Sequence, residues 1–263
     1  DPVGVPALMG HVFPSYNASD DDSDSMPYNV EVAEGRNPQS KDNDVFTVSR
    51  LFAHQQVKDI IRRPAEDFEV IAIADQLDGA QATRSQVTEN LLNSPDRFPI
   101  FAPVIRLYRA FLGRIPDYEG LEYWSRTLRG GTPLATISQS FATSEEFNNA
   151  TGGLSNEGFV NYCYWSVLGR APDPGGLAFW TGELNSGYRS RGQVMLEFSE
   201  SQEFVALFQN NVRVSMLFQS LLRRAPLQAG YDYWLNRLNT GTFAAAIAEF
   251  IASPEYRLRF LPG

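Results

Sequence analysis

The stretch LGRIPDYEGLEYW, residues 112–124, occurs in two further versions along this chain. These versions are LGRAPDPGGLAFW at residues 168–180 and LRRAPLQAGYDYW at residues 222–234. Their prolines lie 56 and 54 residues apart, and the matching residues keep the same spacing for fifteen positions after each proline. Self-similarity at a fixed period is the signature of a protein built from repeated structural units. We therefore interpret the chain as a repeat protein.

Each version predicts the same series of helices. Before the proline, apolar residues recur at helical spacing, as in Val104, Leu107, Tyr108, Phe111 and Leu112, which indicates an amphipathic helix. The Gly-Arg-x-Pro sequence ends this helix because proline cannot continue it. A second helix then contains the tryptophan, and a third contains a phenylalanine. The residues that we assign to the repeat core are Trp124, Trp180, Trp234, Leu128, Leu184, Leu238, Phe141, Phe198 and Phe250.

Turn and cap residues separate these helices. The aspartate after the proline can accept a hydrogen bond from the start of the second helix. The glycine fifteen residues after the proline is expected to end that helix in a left-handed conformation. The last version departs from the pattern, with Arg223 in place of the first glycine and Leu227 in place of the aspartate. The predicted turn and cap residues are Gly113, Pro116, Asp117, Gly169, Pro172, Asp173, Pro226, Gly131, Gly187 and Gly241.

The repeats extend over most of the chain. A degenerate copy without the tryptophan precedes three complete ones, which gives predicted repeats at 48–103, 104–158, 159–212 and 213–263. Residues 1–47 contain nine acidic residues against Arg36 and Lys41, which is −7 of the total charge of −9. This arm also contains five prolines, and a segment of such composition cannot bury enough apolar surface to fold alone.

The predicted fold is therefore all-α. Tandem three-helix repeats pack into one helical body, and an extended irregular N-terminal arm precedes it. Because the arm needs contacts to become ordered, it lies either on its own body or on a neighbouring chain.

Composition excludes several classes of protein. The net charge of −9 argues against nucleic acid as the main partner, because phosphate binding needs clustered cations. A single cysteine excludes an intrachain disulfide and a multi-cysteine metal site, and no apolar run is long enough to span a bilayer. The chain starts with Asp1-Pro2-Val3 and no methionine, so we expect that a signal peptide was removed or that the chain was trimmed.

The pattern Gly-Arg-x-Pro-Asp-x-x-Gly-Leu-x-Tyr-Trp, with the spaced leucine, glycine and phenylalanine and a closing Ser-x-Glu-Phe, resembles a bacterial repeat family catalogued as domain of unknown function 4214. The resemblance covers residues 104–260 well and residues 48–103 weakly. The stretch from Leu238 to Tyr256 is also similar to the end of a phycobilisome linker domain, another helical scaffold. The first family implies an all-helical module of secreted, surface-layer and adhesin-like proteins with no established enzyme activity, and it transfers no catalytic residue to this chain.

The sequence contains no motif that predicts catalysis. The two histidines, His11 and His54, have no flanking motif that would supply a nucleophile or an orienting acid. Cys163 occupies the place that leucine takes in two sister repeats, which favours a core residue. The repeated tryptophans could form a platform for sugars, but their helical spacing beside leucines favours the core. We predict a non-enzymatic protein with no cofactor, and a calcium site is left open as an alternative.

One acidic tract is a candidate calcium site. Asp20, Asp22, Asp24 and Glu31 have the 1, 3, 5, 12 spacing of the ligands in an EF-hand loop. However, Ser25 replaces the glycine required at the sixth position, and no helix is predicted on either side. The preferred interpretation is a solvated acidic tract, and a calcium site that orders the arm is the alternative.

These observations predict a non-enzymatic structural protein, secreted or at the bacterial cell surface, that is a subunit of a filament, sheath or surface lattice. In this interpretation the arm docks on a neighbouring subunit and produces a homo-oligomer. The first alternative is an adhesin-like binding module whose partner is a polysaccharide or another surface protein. The second is an intracellular scaffold similar to the phycobilisome linkers.

Overall fold

A computed structural model describes residues 26–40, 43–151 and 153–260. Their regular structure is entirely helical, which confirms the predicted all-α fold. None of these helices is both long and apolar enough to cross a membrane. The helices are α1 (Tyr28–Ala33), α2 (Ser49–Ile61), α3 (Asp67–Asp78), α4 (Arg84–Leu92), α5 (Phe98–Leu112), α6 (Tyr118–Arg129), α7 (Leu134–Ala142), α8 (Glu145–Thr151), α9 (Asn156–Cys163), α10 (Pro174–Asn185), α11 (Arg191–Ser199), α12 (Gln202–Leu207), α13 (Gln209–Leu217), α14 (Gln228–Thr240), α15 (Phe243–Ala252) and α16 (Pro254–Arg257). Two π-helical turns, Tyr164–Leu168 and Phe218–Leu222, continue α9 and α13.

After α1, the helices form four units of like construction. Unit 1 comprises α2–α4, unit 2 α5–α8, unit 3 α9–α12 and unit 4 α13–α16. Each unit has a first, a second and a third helix, and units 2 to 4 add a short fourth helix. The predicted boundaries after residues 103, 158 and 212 fall inside α5, α9 and α13, because the first helices begin several residues before the first repeated apolar residue.

The first helix of every unit ends at a residue with positive φ. Gly113 and Gly169 have φ angles of 67° and 68°, which glycine adopts without a steric penalty. Arg62 and Arg223 take the same place in units 1 and 4, with φ angles of 67° and 54°. A residue with a Cβ atom costs roughly 1–2 kcal/mol in this conformation, so contacts between units must offset the strain at both arginines.

The glycine four residues after the motif proline lets the second helix approach the first. A Cβ atom on Gly120 would overlap the hydroxyl group of Tyr108, and the same overlap occurs in unit 3. In unit 4 the tyrosine is replaced by Phe218, whose nearest atom would lie 3.4 Å from a Cβ atom on Gly230. The tyrosine hydroxyl is therefore the physical reason for glycine at this position in units 2 and 3.

The four units pack as two pairs through their third helices. In one pair α7 lies against α11, and in the other α4 lies against α15. In the first pair, Ser138 donates a 2.7 Å hydrogen bond to the carbonyl of Gly192. In the second, the Gln56 amide donates a 2.6 Å hydrogen bond to the Tyr256 hydroxyl. The first unit thus packs against the last, and a single hydrophobic core extends through all four units.

A buried carboxylate joins the first and last units. Asp59 on α2 has no exposed side-chain surface, and it pairs with Arg223 and Arg259, each at 2.8 Å. Burial raises the pKa of Asp59, but the charges of Arg259 and Arg223 outweigh burial and hold this pKa below its usual value. The pair also gives Arg223 the contact between units that its strained backbone requires.

The described part of the predicted arm lies on the chain's own body. Met26 is buried, Glu34 pairs with Arg50 at 2.8 Å, and Phe46 packs edge-on against Tyr256. The segment also differs from the predicted irregular arm, because it contains α1. A helix of six residues is too short to be stable alone in water, so its contacts with the body stabilise a helix that periodicity does not reveal.

One predicted helix cap is wrong. Gly131 and Gly187 have positive φ angles of 93° and 70°, as expected. Gly241 is instead extended, with φ −139° and ψ −162°. The reason is the length of the loop, since only Gly241 and Thr242 separate α14 from α15. Such a short connection leaves no room for a left-handed cap.

We expect Gly120→Ala to destabilise the protein by about 1–3 kcal/mol, because the new methyl group overlaps the Tyr108 hydroxyl. Adding Tyr108→Phe should restore part of the loss, since it removes the overlapping atom. Gly230→Ala is the matched control, and it should be neutral or slightly stabilising because alanine favours helix. Denaturant unfolding measures all four proteins, and equal losses for the two glycine variants would contradict the explanation.

We expect Asp59→Asn to destabilise the protein by about 3–5 kcal/mol, since it leaves Arg223 and Arg259 without their buried partner. Because the folded pKa of Asp59 is lowered, its stabilising effect is present above the usual value of 3.8 and is lost as the pH falls through the folded pKa. The difference in melting temperature between wild type and variant should therefore shrink in acid. Glu249→Gln removes an exposed ion pair with Arg237 and should leave the melting temperature unchanged.

Candidate binding groove

The residues considered for catalysis do not form a site in the part of the chain that the structure describes. Cys163 is fully buried, and burial raises the pKa of its thiol far above the usual value. His54 forms a 3.1 Å hydrogen bond with Glu34, and burial lowers the pKa of His54 more than Glu34 raises it. His11 lies outside the described residues. Among the described residues, His54 therefore has an acid partner in Glu34, but Cys163 is not hydrogen-bonded to it.

Only one of the four predicted calcium ligands lies among the residues that the structure describes. Asp20, Asp22 and Asp24 lie outside the described residues, whereas Glu31 lies on α1 with 1% of its surface exposed. Among the described residues, no three histidine, cysteine, aspartate or glutamate side chains are grouped so that they could hold a metal ion. The calcium alternative stays a prediction.

The repeated core residues lie where the second and third helices of each unit meet. Every motif tryptophan packs its ring against the third-helix phenylalanine of the same unit, and the motif leucine lies in the same core. The distances between ring centroids are 5.3 Å for Trp124 and Phe141, 5.5 Å for Trp180 and Phe198, and 5.0 Å for Trp234 and Phe250, and the leucines are Leu128, Leu184 and Leu238. These tryptophans are half-buried, which argues against a sugar platform built from them.

The polar residues of the motif hold the unit together. The arginine two residues before each motif proline pairs with the glutamate of the closing Ser-x-Glu sequence and lies over an aromatic ring of the first helix or its π-helical turn. The pairs are Arg114–Glu146 at 2.7 Å, Arg170–Glu203 at 2.8 Å and Arg224–Glu255 at 2.7 Å. These bonds fix the first helix to the fourth, so we assign the motif arginines a structural role.

The predicted aspartates cap the second helices. Asp117 accepts a 2.7 Å hydrogen bond from the backbone N–H of Gly120, and Asp173 accepts one of 2.8 Å from Gly176. Leu227 provides no side-chain cap in unit 4. The motif prolines Pro116, Pro172 and Pro226 precede these caps in the turn between the first and second helices.

A groove of about 680 Å³ lies where units 2, 3 and 4 meet. One wall is the end of α5 with the turn at Gly113, the second is the π-helical turn of unit 3 with α12, and the third is the start of α14. The volume falls within the range of small-molecule pockets, roughly 300–1,000 Å³. The groove is therefore large enough to hold a ligand of several rings, and each of its walls belongs to a different unit.

The groove combines aromatic surface with hydrogen-bond donors. Trp165 in the π-helical turn is 59% exposed. The Asn211 amide donates a 2.6 Å hydrogen bond to the Tyr231 hydroxyl, which fixes both side chains. Burial raises the pKa of Tyr231, while the bond from Asn211 and the nearby charge of Arg109 oppose that rise. No carboxylate lines the groove among the described residues, so the charge it presents is positive.

Sequence analysis missed Trp165 and Arg109 because neither belongs to the repeat motif. Both stand four residues before the left-handed turn residue of their unit, and the same position holds Lys58 in unit 1 and Gln219 in unit 4. A large residue whose type changes from unit to unit marks a position that the shared apolar core does not use, although Gln219 itself is buried. That variation is the signal that could have located the groove.

Comparison with known proteins agrees with the repeat assignment. Two adjacent segments, residues 138–208 and 209–260, match the model of a family described as a domain of unknown function (DUF4214). The first segment runs from within α7 through unit 3, and the second covers unit 4. No curated protein and no solved structure matches the chain. Residues 138–260 therefore match the DUF4214 family in two adjacent segments, as expected for a repeat of this family.

Proposed function

We propose that this protein is a non-enzymatic, adhesin-like binding module of the bacterial cell surface, and that the groove between units 2, 3 and 4 binds a carbohydrate. The observation that carries the proposal is Trp165, an aromatic ring left 59% exposed inside a concave site. An aromatic face stacks on the apolar face of a sugar ring and also offers its indole N–H as a donor. The exposed indole of Trp165 is therefore suited to bind a sugar ring.

The remaining groove residues favour an acidic sugar. Asn211 and Gln228 supply amides for hydroxyl groups, and the rigid helices hold them in place. Among the described residues, no carboxylate lies within ion-pair distance of Arg109, whose guanidinium donates to the carbonyl of Gly113. Arginine binds carboxylates through paired hydrogen bonds, so Arg109 suits the carboxylate of a uronic acid.

We expect Trp165→Ala to weaken binding of an oligosaccharide of uronic acids, such as an alginate oligomer, by at least about tenfold, or about 1.4 kcal/mol. The variant loses the stacking face and keeps the rest of the groove. A neutral cello-oligosaccharide should bind more weakly than the acidic one, since it cannot pair with Arg109. Isothermal titration measures both affinities.

Tyr188→Ala is the control for the loss of an exposed aromatic ring. Tyr188 is 74% exposed and lies outside the groove, so its removal should leave sugar binding unchanged. The proposal is overturned if the wild type binds neither oligosaccharide, or if Trp165→Ala binds as tightly as the wild type.

A specific observation favours a second candidate, a structural protein that assembles from copies of itself. The aromatic residue before each motif tryptophan is exposed, namely Tyr123 (61%), Phe179 (52%) and Tyr233 (55%). Exposed aromatic rings at interfaces contribute much of the binding energy between proteins. The described part of the arm packs on its own body. This candidate therefore rests on the exposed aromatic residues and not on exchange of that segment between subunits.

If the second candidate holds, changing Tyr123, Phe179 and Tyr233 together to serine should abolish concentration-dependent assembly, because the apolar contact surface is lost. Helicity should be unchanged, since these rings lie outside the core. Sedimentation velocity over a range of concentrations measures the assembly, and circular dichroism provides the control. A wild-type chain that stays monomeric at every concentration would dispose of this candidate and leave the binding module.

A further inference from the structure

A second cavity, of about 380 Å³, lies in the pair formed by units 1 and 4. Its position there corresponds to that of the groove in the pair formed by units 2 and 3. Like the groove, it lies beside the turns that end two first helices. Lys58 and Arg62 line it, just as the corresponding Arg109 and Gly113 line the groove. We call this cavity the basic pocket.

The basic pocket has an excess of positive charge in a protein whose net charge is −9. Its lining contains five cations, Lys58, Arg62, Arg63, Arg126 and Arg223, and one carboxylate, that of Glu122. Three of these arginines have carboxylate partners: Arg62 pairs with Glu122, Arg63 with Glu69 and Arg223 with Asp59. Such pairing fixes the guanidinium groups in place while leaving donors for a ligand.

Arg126 differs from those three arginines. It lies on α6, its side chain is exposed, and no carboxylate of the described residues is within ion-pair distance of it. A cation at the mouth of a cavity whose other arginines already have carboxylate partners is free to pair with an incoming anion.

A buried arginine outside the lining, Arg97, adds to the positive charge near the pocket. Arg97 has no exposed surface, and its guanidinium donates a 2.7 Å hydrogen bond to Ser220. Its Nε and Nη1 atoms have no hydrogen-bond partner among the described residues. Burial lowers the pKa of Arg97 strongly, and its charge interacts with those of Arg62 and Glu122 in the pocket wall. A buried cation without a carboxylate costs several kcal/mol, and an anion in the adjacent pocket would offset part of that cost.

One part of the lining of the basic pocket is apolar. The start of the described chain supplies Met26, Pro27 and Val30, and the turn after α2 supplies Pro64 and Ala65. Met26 and Pro27 are buried, so this wall is fixed to the body. An inorganic ion would use only the basic side of such a cavity.

We propose that the basic pocket binds a small organic anion, in which an oxyanion group such as a phosphate or a sulfate is attached to an apolar ring or chain. The oxyanion contacts Arg126, Lys58 and the paired arginines, and the apolar part lies against Met26, Pro27 and Val30. The proposal is independent of the carbohydrate groove, because the two cavities share no lining residue.

The test titrates the full chain with three probes and follows binding by calorimetry and by the melting temperature. Phenyl phosphate has both parts of the proposed ligand, phenol has only the ring, and inorganic phosphate has only the oxyanion. We expect phenyl phosphate to bind most tightly and to raise the melting temperature, because a ligand that binds only the folded state stabilises it. Phenol should bind at least tenfold more weakly, and inorganic phosphate should lie between the two.

Arg126→Glu should weaken binding of phenyl phosphate at least tenfold, because it places a carboxylate at the mouth of the pocket. Arg257→Glu is the matched control, since it changes the net charge equally at an exposed arginine outside both cavities, and it should bind phenyl phosphate as the wild type does. The proposal is overturned if the wild type does not bind phenyl phosphate, if phenol binds equally well, or if the two variants lose affinity to the same extent. Oligosaccharide binding by Arg126→Glu, measured in parallel, keeps a failure here separate from a failure of the groove.

Discussion

The buried carboxylate of Asp59 determines how the first unit of this chain packs against the last. It is fully buried, and it lies between Arg223 of unit 4 and Arg259 at the end of the same unit. A buried carboxylate is costly unless cations compensate it, and both cations that compensate Asp59 belong to unit 4. The left-handed Arg223 and the bond from Arg62 to the Gln219 carbonyl, 2.8 Å, belong to the same contact. Unit 1, which lacks the motif tryptophan, thus has a polar interface with the far end of the chain.

Pairing of the units creates two cavities from one plan. In each pair the first helices end side by side, and in units 1, 2 and 3 the residue four positions before the left-handed turn lines a cavity. Arg109 and Trp165 occupy this position at the groove, and Lys58 occupies it at the basic pocket. The shared core maintains the position of the backbone, while these side chains give each cavity its own chemistry. Function in a repeat protein of this kind therefore depends on the residues that differ between units.

Charge is distributed unevenly over the molecule. Residues 1–47 contribute −7 of the total charge of −9, whereas the basic pocket contains five cations and one carboxylate in its lining. The structure also divides the arginines by role. The motif arginines pair with glutamates of their own unit, whereas Asp59 and Glu122 pair with arginines of other units. Among the described arginines that line the two cavities, Arg126 and Arg109 have no carboxylate partner, so they can pair with the charge of a ligand.

Much of the fold could be predicted from the sequence because it depends on local interactions. Helical spacing of apolar residues, proline after each first helix and aspartate at the following cap act within a few residues of the chain, so their effect is visible in any single repeat. Even the glycine at position 120 follows from contact within one unit. The short helix α1 escaped prediction because contacts with the body, and not its own periodicity, stabilise it. Gly241 was misjudged because loop length, and not residue type, decides its conformation.

The candidate sites could not be predicted, because they depend on which units meet. The period of the motif is the same whether units stack in a line or pack in pairs, so it does not reveal that α4 packs on α15 and α7 on α11. The groove around Trp165 and the burial of Arg97 both arise at such contacts, between residues far apart in the chain. The sequence by itself determined the helices and the residues that face the core of each unit, since these follow from periodicity and steric limits. Only the tertiary structure decided the neighbours of each unit, since burial of charge and apolar surface is settled when distant segments come together.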